Sequence, residues 1–281
     1  MSQATNMSNV TNISTRYDQT FKKLAEKNEG AFIPFVIIGD PNAEQSFAVI
    51  KTLIDSGADA LELGMPFSDP SADGLTIQMA ALRALKANTN TDVCLNIIAK
   101  VRAYAPDLAI GLLLYGNLVF ARGINNFYRD VAKAGVDSVL IADLPIRESE
   151  PFRQAAIANG VAPIFIAPPN ANEDTLQKVA EYGAGYTYVL SRVGVTGTET
   201  EAEITGHKLI HILEKYQAAP CVIGFGISKP EHVKAALATG ANGAISGSAV
   251  VKVIEKNLDD NDKMLEELAE FIRAMKLATK L

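Results

Sequence analysis

Apolar and polar residues follow two patterns along this chain. Short runs that are apolar nearly throughout predict strands buried on both faces, as in a parallel sheet. Runs with apolar residues every three or four positions, often ended by glycine, predict helices. The short runs predict eight strands, at 31–39, 58–64, 109–115, 136–142, 162–167, 186–191, 220–225 and 241–246. The helical runs lie at 18–28, 47–56, 76–86, 92–104, 124–134, 150–159, 174–182, 207–216, 228–239, 248–256 and 264–278.

Strands and helices alternate, and no change of composition marks a domain boundary. Eight βα units in 281 residues predict an α/β fold, a single-domain TIM (β/α)8 barrel. Extra helices are predicted at the N-terminus, after the second strand and at the C-terminus. We assign residues 16–281 to this barrel domain and predict a disordered tail for the Ser/Thr/Asn-rich residues 1–15. A doubly wound open sheet is the alternative, but the first strand is not followed by a glycine-rich dinucleotide turn.

Composition and charge exclude several classes of function. The chain carries 32 acidic and 26 basic side chains, so it lacks the basic balance expected of a nucleic-acid-binding protein. No apolar run approaches the roughly 20 residues of a membrane span. The two cysteines are far apart, which predicts neither a disulfide framework nor a metal motif and fits a reducing, cytoplasmic location. His207 and His211 are four residues apart, but Lys208 stands where a zinc-protease helix would carry glutamate.

The second predicted strand carries a carboxylate, Glu62, among small and apolar neighbours. Side chains alternate between the faces of a strand, so Leu61 and Leu63 are expected to face the surrounding helices and Glu62 the barrel mouth. Burial there would raise the pKa of Glu62 and suit it to general acid/base catalysis. Alternatively, Glu62 reaches water at the strand end or pairs with an arginine. Asp73 follows after two prolines, and two carboxylates in different environments can take different proton-transfer roles.

The predicted strand ends limit the chemistry, because TIM-barrel active sites lie at the C-terminal ends of the strands. No strand carries a lysine, which argues against a Schiff-base aldolase. No strand end carries a histidine or three carboxylates, which argues against a metal site. Period-two alternation places several apolar and aromatic residues inside the barrel with Glu62, either as a pocket for a flat aromatic group or as ordinary core. These are Phe35, Leu113, Tyr115, Leu140, Ala142, Ile166 and Tyr188.

Glycines cluster at the ends of the last two predicted strands. Gly224 and Gly226 lie at the end of one strand and Gly243 and Gly247 in and after the next, and Ser248 opens the helix that follows. Backbone N–H groups at such a helix N-terminus bind phosphate in many barrels, and glycine lets the phosphate approach the backbone closely. The alternative is that these glycines serve packing alone. A long loop rich in Gly, Thr and Glu at 192–206 is typical of a lid.

Several segments together resemble the tryptophan synthase alpha chain family over essentially the whole chain after residue 15. The most specific is the stretch from Glu62 to Asp73. The others include Gly39-Asp40-Pro41, Thr76-Ile77-Gln78, Gly111 to Phe120, Tyr186-Thr187-Tyr188, Gly194 to Gly197, Gly224-Phe225-Gly226-Ile227-Ser228 and Ile245-Ser246-Gly247-Ser248.

The resemblance implies a retro-aldol cleavage of indole-3-glycerol phosphate to indole and glyceraldehyde 3-phosphate, without a cofactor in this chain. It implies that Glu62 is the general acid/base and that Asp73 takes charge from the indole N–H. Thr196 would contact Asp73 from the 192–206 loop. The implied substrate-binding residues are Phe35, Leu113, Tyr115, Ile166 and Tyr188. The implied phosphate-binding residues are Gly197, Gly226, Gly247 and Ser248.

The resemblance also implies a partner, a tryptophan synthase beta chain that carries pyridoxal phosphate, in an alpha2beta2 heterotetramer. Pro66, Asp69 and Pro70 would contribute to that interface. Ser71, Leu75 and Val193 depart from the family pattern, which leaves the flexibility of both loops open.

Three alternatives remain. One is a stand-alone lyase that releases free indole. Another is a different phosphate-binding barrel, such as an epimerase or decarboxylase. The last is a barrel without catalytic activity that only activates a partner.

Overall fold

The computed structural model describes residues 16–190 and 199–280, of which 199–205 are described by their backbone alone. Within these residues the chain forms nine strands and twelve α-helices. The strands are β1 (Ala31–Ile37), β2 (Ala60–Gly64), β3 (Ala109–Leu114), β4 (Ser138–Ile141), β5 (Ala162–Ile164), β6 (Ile166–Ala167), β7 (Thr187–Leu190), β8 (Cys221–Gly224) and β9 (Gly243–Ser246). The helices are α1 (Arg16–Glu26), α2 (Ala43–Asp55), α3 (Leu75–Lys86), α4 (Thr91–Tyr104), α5 (Gly116–Arg122), α6 (Ile124–Ala134), α7 (Glu150–Ala158), α8 (Glu173–Tyr182), α9 (Glu199–Lys215), α10 (Pro230–Ala238), α11 (Ser248–Lys256) and α12 (Asn261–Leu277).

The strands form one parallel sheet in the order β5-β4-β3-β2-β1-β9-β8-β7-β6. The two ends of this order, β5 and β6, are consecutive in the chain and separated by Phe165 alone, so the sheet curves round into a nearly closed barrel. The predicted strand 162–167 is thus divided at one residue, which raises the number of strands from eight to nine. The predicted TIM barrel is confirmed.

The two faces of the sheet pack into two separate layers. Leu61 and Leu63 belong to the apolar layer between the strands and the helices. Ala60, Phe35 and Tyr188 belong to the layer inside the barrel. The register pairs Phe35 with Glu62, and Glu62 with Gly111 on the other side, so Glu62 shares the interior face. The predicted orientation of the second strand is confirmed.

Helix α1 closes the N-terminal end of the barrel. Tyr17 is fully buried, and its hydroxyl hydrogen-bonds to the Ser138 hydroxyl at 2.9 Å. Its ring packs against Tyr186 with the centroids 5.3 Å apart. Below them, Asp137 accepts hydrogen bonds from Arg16 and Arg102 at 2.7 and 2.6 Å. Tyr17 and Tyr186 form an apolar plug, supported by the ion pairs of Asp137 with Arg16 and Arg102. This plug shields the barrel interior from water at the N-terminal end.

Several predicted boundaries are wrong, each for a local reason. Helix α2 begins at Ala43 rather than 47, because the Asn42 side chain caps it by accepting a hydrogen bond from the Gln45 N–H. Helix α9 begins at Glu199, so the predicted loop 192–206 is helical in its second half; Glu, Ala and Ile in that stretch tolerate a helix.

Two short features, helix α5 and the start of helix α10, also differ from the prediction. Helix α5 directly follows β3 and was not predicted, because seven residues give too little periodicity. Ser228 and Glu231 have the Ser-x-x-Glu spacing that predicts a capping box, but this cap does not form. Lys229 is the N-cap of α10 without a side-chain cap, while the Ser228 N–H donates to His232 Nδ1 at 3.2 Å.

Candidate active site

A cavity of about 450 Å³ opens at the C-terminal ends of the strands. Its walls come from both halves of the barrel, and most of the predicted site residues that the structure describes line it. These are Phe35, Glu62, Asp73, Leu113, Tyr188, Gly226, Gly247 and Ser248. The fold therefore brings together residues that lie more than 200 positions apart in sequence.

Glu62 lies deep in this cavity, with 1% of its surface exposed. The Tyr186 hydroxyl donates a hydrogen bond of 2.6 Å to Glu62 Oε1. Burial raises the pKa of Glu62 from 4.5 to about 7, and the hydrogen bond from Tyr186 opposes that rise. The partner is thus a phenol and not an arginine, and the alternative of a solvated strand-end carboxylate is wrong. A carboxyl group with a pKa near neutrality can both donate and accept a proton.

Sequence reasoning missed Tyr186 as a site residue. The signal was present, because Tyr186 and Tyr188 are two positions apart and therefore share the interior face of β7 and its approach. Burial raises the pKa of Tyr186 well above its ordinary value, and the Glu62 carboxylate raises it further. Tyr186 therefore stays protonated and serves Glu62 as a permanent donor.

Asp73 lies in the turn between β2 and α3 and is partly buried. Burial raises the pKa of its carboxyl group, and a hydrogen bond from Tyr115 lowers it. The Ala72 N–H donates to the Tyr115 hydroxyl at 3.0 Å, and the Tyr115 ring stacks on Phe67 with centroids 5.1 Å apart. Tyr115 therefore stabilises the turn that carries Asp73, and it is not one of the residues that line the cavity.

Ile166 also lies outside the lining residues of the cavity. It pairs with Tyr188 in the register of β6 and β7 and packs against the interior layer. The predicted substrate contacts of Ile166 and Tyr115 stay predictions.

The opposite end of the cavity is made of backbone. Gly226 has φ +79°, a conformation that favours glycine. Gly247 precedes α11 directly, and a Cβ atom there would lie 3.3 Å from Phe35 Cδ1. Ser248 is the first residue of α11, so its N–H is one of the free donors of that helix. Thr196 and Gly197 lie outside the described residues, as does the tail predicted at 1–15.

Other residues of the lining were not predicted. Phe225 has φ +88° and is 41% exposed at the rim. Ser228 and Lys252 complete the side nearest α11. The signal for Lys252 was its spacing, since it stands four residues after Ser248 and therefore on the same helix face.

The predicted interface residues differ in exposure. Asp69 is exposed and Pro70 is partly exposed, whereas Pro66 is buried. Of these three residues, Asp69 and Pro70 present surface in this chain. Pro66 instead fixes the start of the loop.

The described residues contain neither a metal-binding cluster nor a membrane-spanning helix. Among them, His, Cys, Asp and Glu form no group of three that could hold a metal ion. None of the helices within 16–190 and 199–280 combines the length and apolar character needed to cross a membrane.

Comparisons with known proteins place this chain in one family. The family sequence model described as tryptophan synthase alpha chain matches residues 21–280. The tryptophan synthase alpha chain of Vibrio cholerae is 60% identical over 266 residues, which cover 95% of this chain and 99% of that protein. The alpha chain of Photobacterium profundum shows the same identity and coverage.

Solved structures agree. Tryptophan synthase subunit alpha from Legionella pneumophila superposes with a TM-score of 0.87 at 28% identity, covering 95% of this chain and 98% of that one. A chain from the tryptophan synthase a2b2 complex of Pyrococcus furiosus gives a TM-score of 0.80 at 33% identity, covering 88% and 98%. The sequence-based prediction of an alpha subunit acting in tryptophan biosynthesis is confirmed, and the stand-alone alternative is not favoured. This chain therefore belongs to the tryptophan synthase alpha chain family, whose members are enzymes of the lyase type.

Proposed function

We propose that the chain cleaves the carbon–carbon bond of indole-3-glycerol phosphate and releases indole and glyceraldehyde 3-phosphate. The observation that carries this proposal is Glu62, a carboxyl group buried in the cavity with a pKa of about 7. A group with that pKa exists in both protonation states at neutral pH. The reaction needs both states, because one proton must reach the ring and another must leave a hydroxyl.

Glu62 would move both protons. Its protonated form donates to C3 of the indole ring, which makes the ring electron-poor. The resulting carboxylate then accepts the proton of the adjacent hydroxyl, a carbonyl forms, and the electrons of the broken carbon–carbon bond return to the ring. Glu62 ends protonated as it began, so the step balances without an external acid or base.

Asp73 would stabilise the positive charge that develops on the indole nitrogen after C3 is protonated. Burial strengthens such an interaction, because fewer water dipoles compete with it. Tyr115 supports this role by donating a hydrogen bond to Asp73 while accepting one from Ala72. Each such group is worth roughly 10²–10⁴-fold in rate.

The cavity walls fit the two ends of this substrate. Phe35, Leu113 and Tyr188 offer apolar and aromatic surface for the indole ring. At the other end, the N–H groups around Gly226, Gly247 and Ser248 would hold the phosphate. Thr196 remains a candidate for closing over this site and contacting Asp73, and Gly197 remains a candidate for binding the phosphate.

The roles above are all filled by side chains and backbone of this chain, and we propose that it uses no cofactor of its own. Its family and the a2b2 relative support a beta-chain partner. In our proposal the partner carries pyridoxal phosphate, takes up the indole and forms an alpha2beta2 assembly in the cytoplasm. Asp69 and Pro70 would lie at that interface.

The test is indole release from indole-3-glycerol phosphate by the purified chain, alone and with a beta chain, for the parent and Glu62→Gln. Slow release that rises many-fold with the partner, and its loss in Glu62→Gln, would support the proposal. Glu266→Gln makes the same chemical change at an exposed position of α12 and should leave turnover unchanged. Undiminished turnover in Glu62→Gln would refute the proton-transfer role. Fast release by the chain alone would point to a stand-alone lyase.

A further inference from the structure

The cavity carries an imbalance of charge that the proposed reaction leaves unexplained. Two of its lining side chains are carboxyl groups, Glu62 and Asp73. A phosphate monoester brings nearly two further negative charges at neutral pH. Backbone N–H groups supply partial charges alone, so an anion entering this mouth meets the Asp73 carboxylate, and Glu62 whenever it is ionised, unless a cation lies nearby.

Lys252 is the one basic side chain that lines the cavity among the residues the structure describes. It is exposed and stands in α11, four residues after Ser248. Positions four apart in a helix lie on one face, with Cβ atoms about 5–6 Å apart. Helical side chains also lean toward the N-terminus of their helix. Lys252 therefore lies on the same helix face as Ser248 and lines the cavity on the side where Gly247 and Ser248 begin α11.

The charged neighbours of Lys252 on the same helix are engaged elsewhere. Glu255 accepts from Arg83 of α3 at 3.3 Å, and Lys256 donates to Glu267 of α12 at 3.0 Å. For Lys252, no carboxylate lies within 4.0 Å in the described part of the chain. The fold therefore uses the charges on either side of Lys252 to join α11 to other helices and leaves Lys252 facing the cavity mouth.

We propose that Lys252 is a specificity-determining residue that attracts and binds the phosphate group of the substrate at the cavity rim. This inference rests on the proposed function for the identity of the substrate, although the phosphate subsite itself can be tested without turnover. Lys252 acts on binding and not on the proton transfers at Glu62, so its effect falls on KM and on the salt dependence of kcat/KM. A lysine is a flexible point charge with three donors, which suits a phosphate that enters and leaves.

The first experiment compares Lys252→Gln, Lys252→Arg and Lys234→Gln. Lys234 is an exposed lysine of α10 outside the cavity, so it controls for the change of net charge. We expect Lys252→Gln to raise KM about tenfold, at the lower end for a hydrogen bond between charged groups, with kcat within about twofold. Lys252→Arg and Lys234→Gln should stay near the parent. The fall of kcat/KM with added salt should be shallower in Lys252→Gln, because one screened attraction is missing.

The second experiment measures binding of inorganic phosphate to the same proteins by calorimetry. A dissociation constant raised about tenfold in Lys252→Gln alone would support the proposal even if no protein released indole, which would then overturn the proposed reaction and not the phosphate subsite. Equal phosphate binding in Lys252→Gln and the parent would overturn the role of Lys252, whatever the turnover. A fall in kcat with unchanged KM would overturn it as well.

Discussion

Replacement of Glu62 by glutamine should stabilise the folded chain at alkaline pH. The pKa of Glu62 is raised by burial, against the opposing hydrogen bond from Tyr186, from 4.5 to about 7. The folded state therefore binds the Glu62 proton more tightly than the unfolded chain does. Between those two pKa values, stability falls as pH rises, because unfolding lets the carboxyl group ionise.

The magnitude follows from the pKa values. At about 1.36 kcal/mol per pH unit, ionising Glu62 in the folded state costs about 3 kcal/mol. This cost is absent below pH 4.5, where the group is neutral in both states, and complete above pH 7. Glutamine resembles the neutral carboxyl group in shape and never carries the charge. Its own hydrogen-bonding cost does not depend on pH.

The assay is urea unfolding of the parent and Glu62→Gln at pH 5 and pH 8. The stability difference between the two proteins should move in favour of Glu62→Gln by about 2–3 kcal/mol from the lower to the higher pH. The exposed control Glu266→Gln should show no such movement. A difference between the parent and Glu62→Gln that is the same at both pH values would refute the reasoning, because Glu62 would then titrate normally in the folded state.

Further predictions concern the neighbours of Glu62. Tyr186→Phe removes a hydrogen bond to a charged group, worth about 1.5–3 kcal/mol, so the limb of the pH–rate profile that reports Glu62 should move about one to two pH units higher; an unmoved limb would contradict this. Asp73→Asn should lower kcat for indole release about 10²-fold, while Asp69→Asn in the free chain should not; similar kcat values would contradict the assignment. Gly111→Ala should lower the free energy of unfolding in urea by about 1–3 kcal/mol. The added Cβ would lie 2.7 Å from the Tyr17 hydroxyl oxygen and 2.8 Å from Ser138 Oγ. An unchanged unfolding midpoint would show that Tyr17 and Ser138 move aside without cost.

The parts of the fold that follow from the spacing of apolar residues were predictable from sequence. The eight apolar runs predicted the barrel. The alternation of side chains between the two faces of β2 predicted that Glu62 points into the barrel. The alternation could also have identified Tyr186. The division of one strand at Phe165 was not predictable, because it depends on the hydrogen-bond pairing of β5 and β6 with different neighbours.

The site was harder to predict where contacts join distant segments. The alternation of side chains predicted that Tyr115 lies inside the barrel. In the structure it instead contacts Ala72 and Phe67, next to the turn that carries Asp73. The resemblance implied Pro66 at a partner interface, yet the fold buries it within this chain. The start of α2 depends on a single side-chain hydrogen bond of Asn42, whereas α10 forms no side-chain cap. Such local bonds compete with equally plausible partners nearby, so sequence does not decide which of them forms.

Tyr17, at the N-terminal end of the barrel, affects the pKa of Glu62 at the other end because it keeps water out of the interior between them. Tyr17 packs against Tyr186, which in turn donates to Glu62. Water admitted at the base would solvate the Glu62 carboxylate and bring its pKa back toward the value of a free glutamate. The first helix of the chain, which contains none of the proposed reacting groups, thereby helps to keep the pKa of Glu62 above its ordinary value.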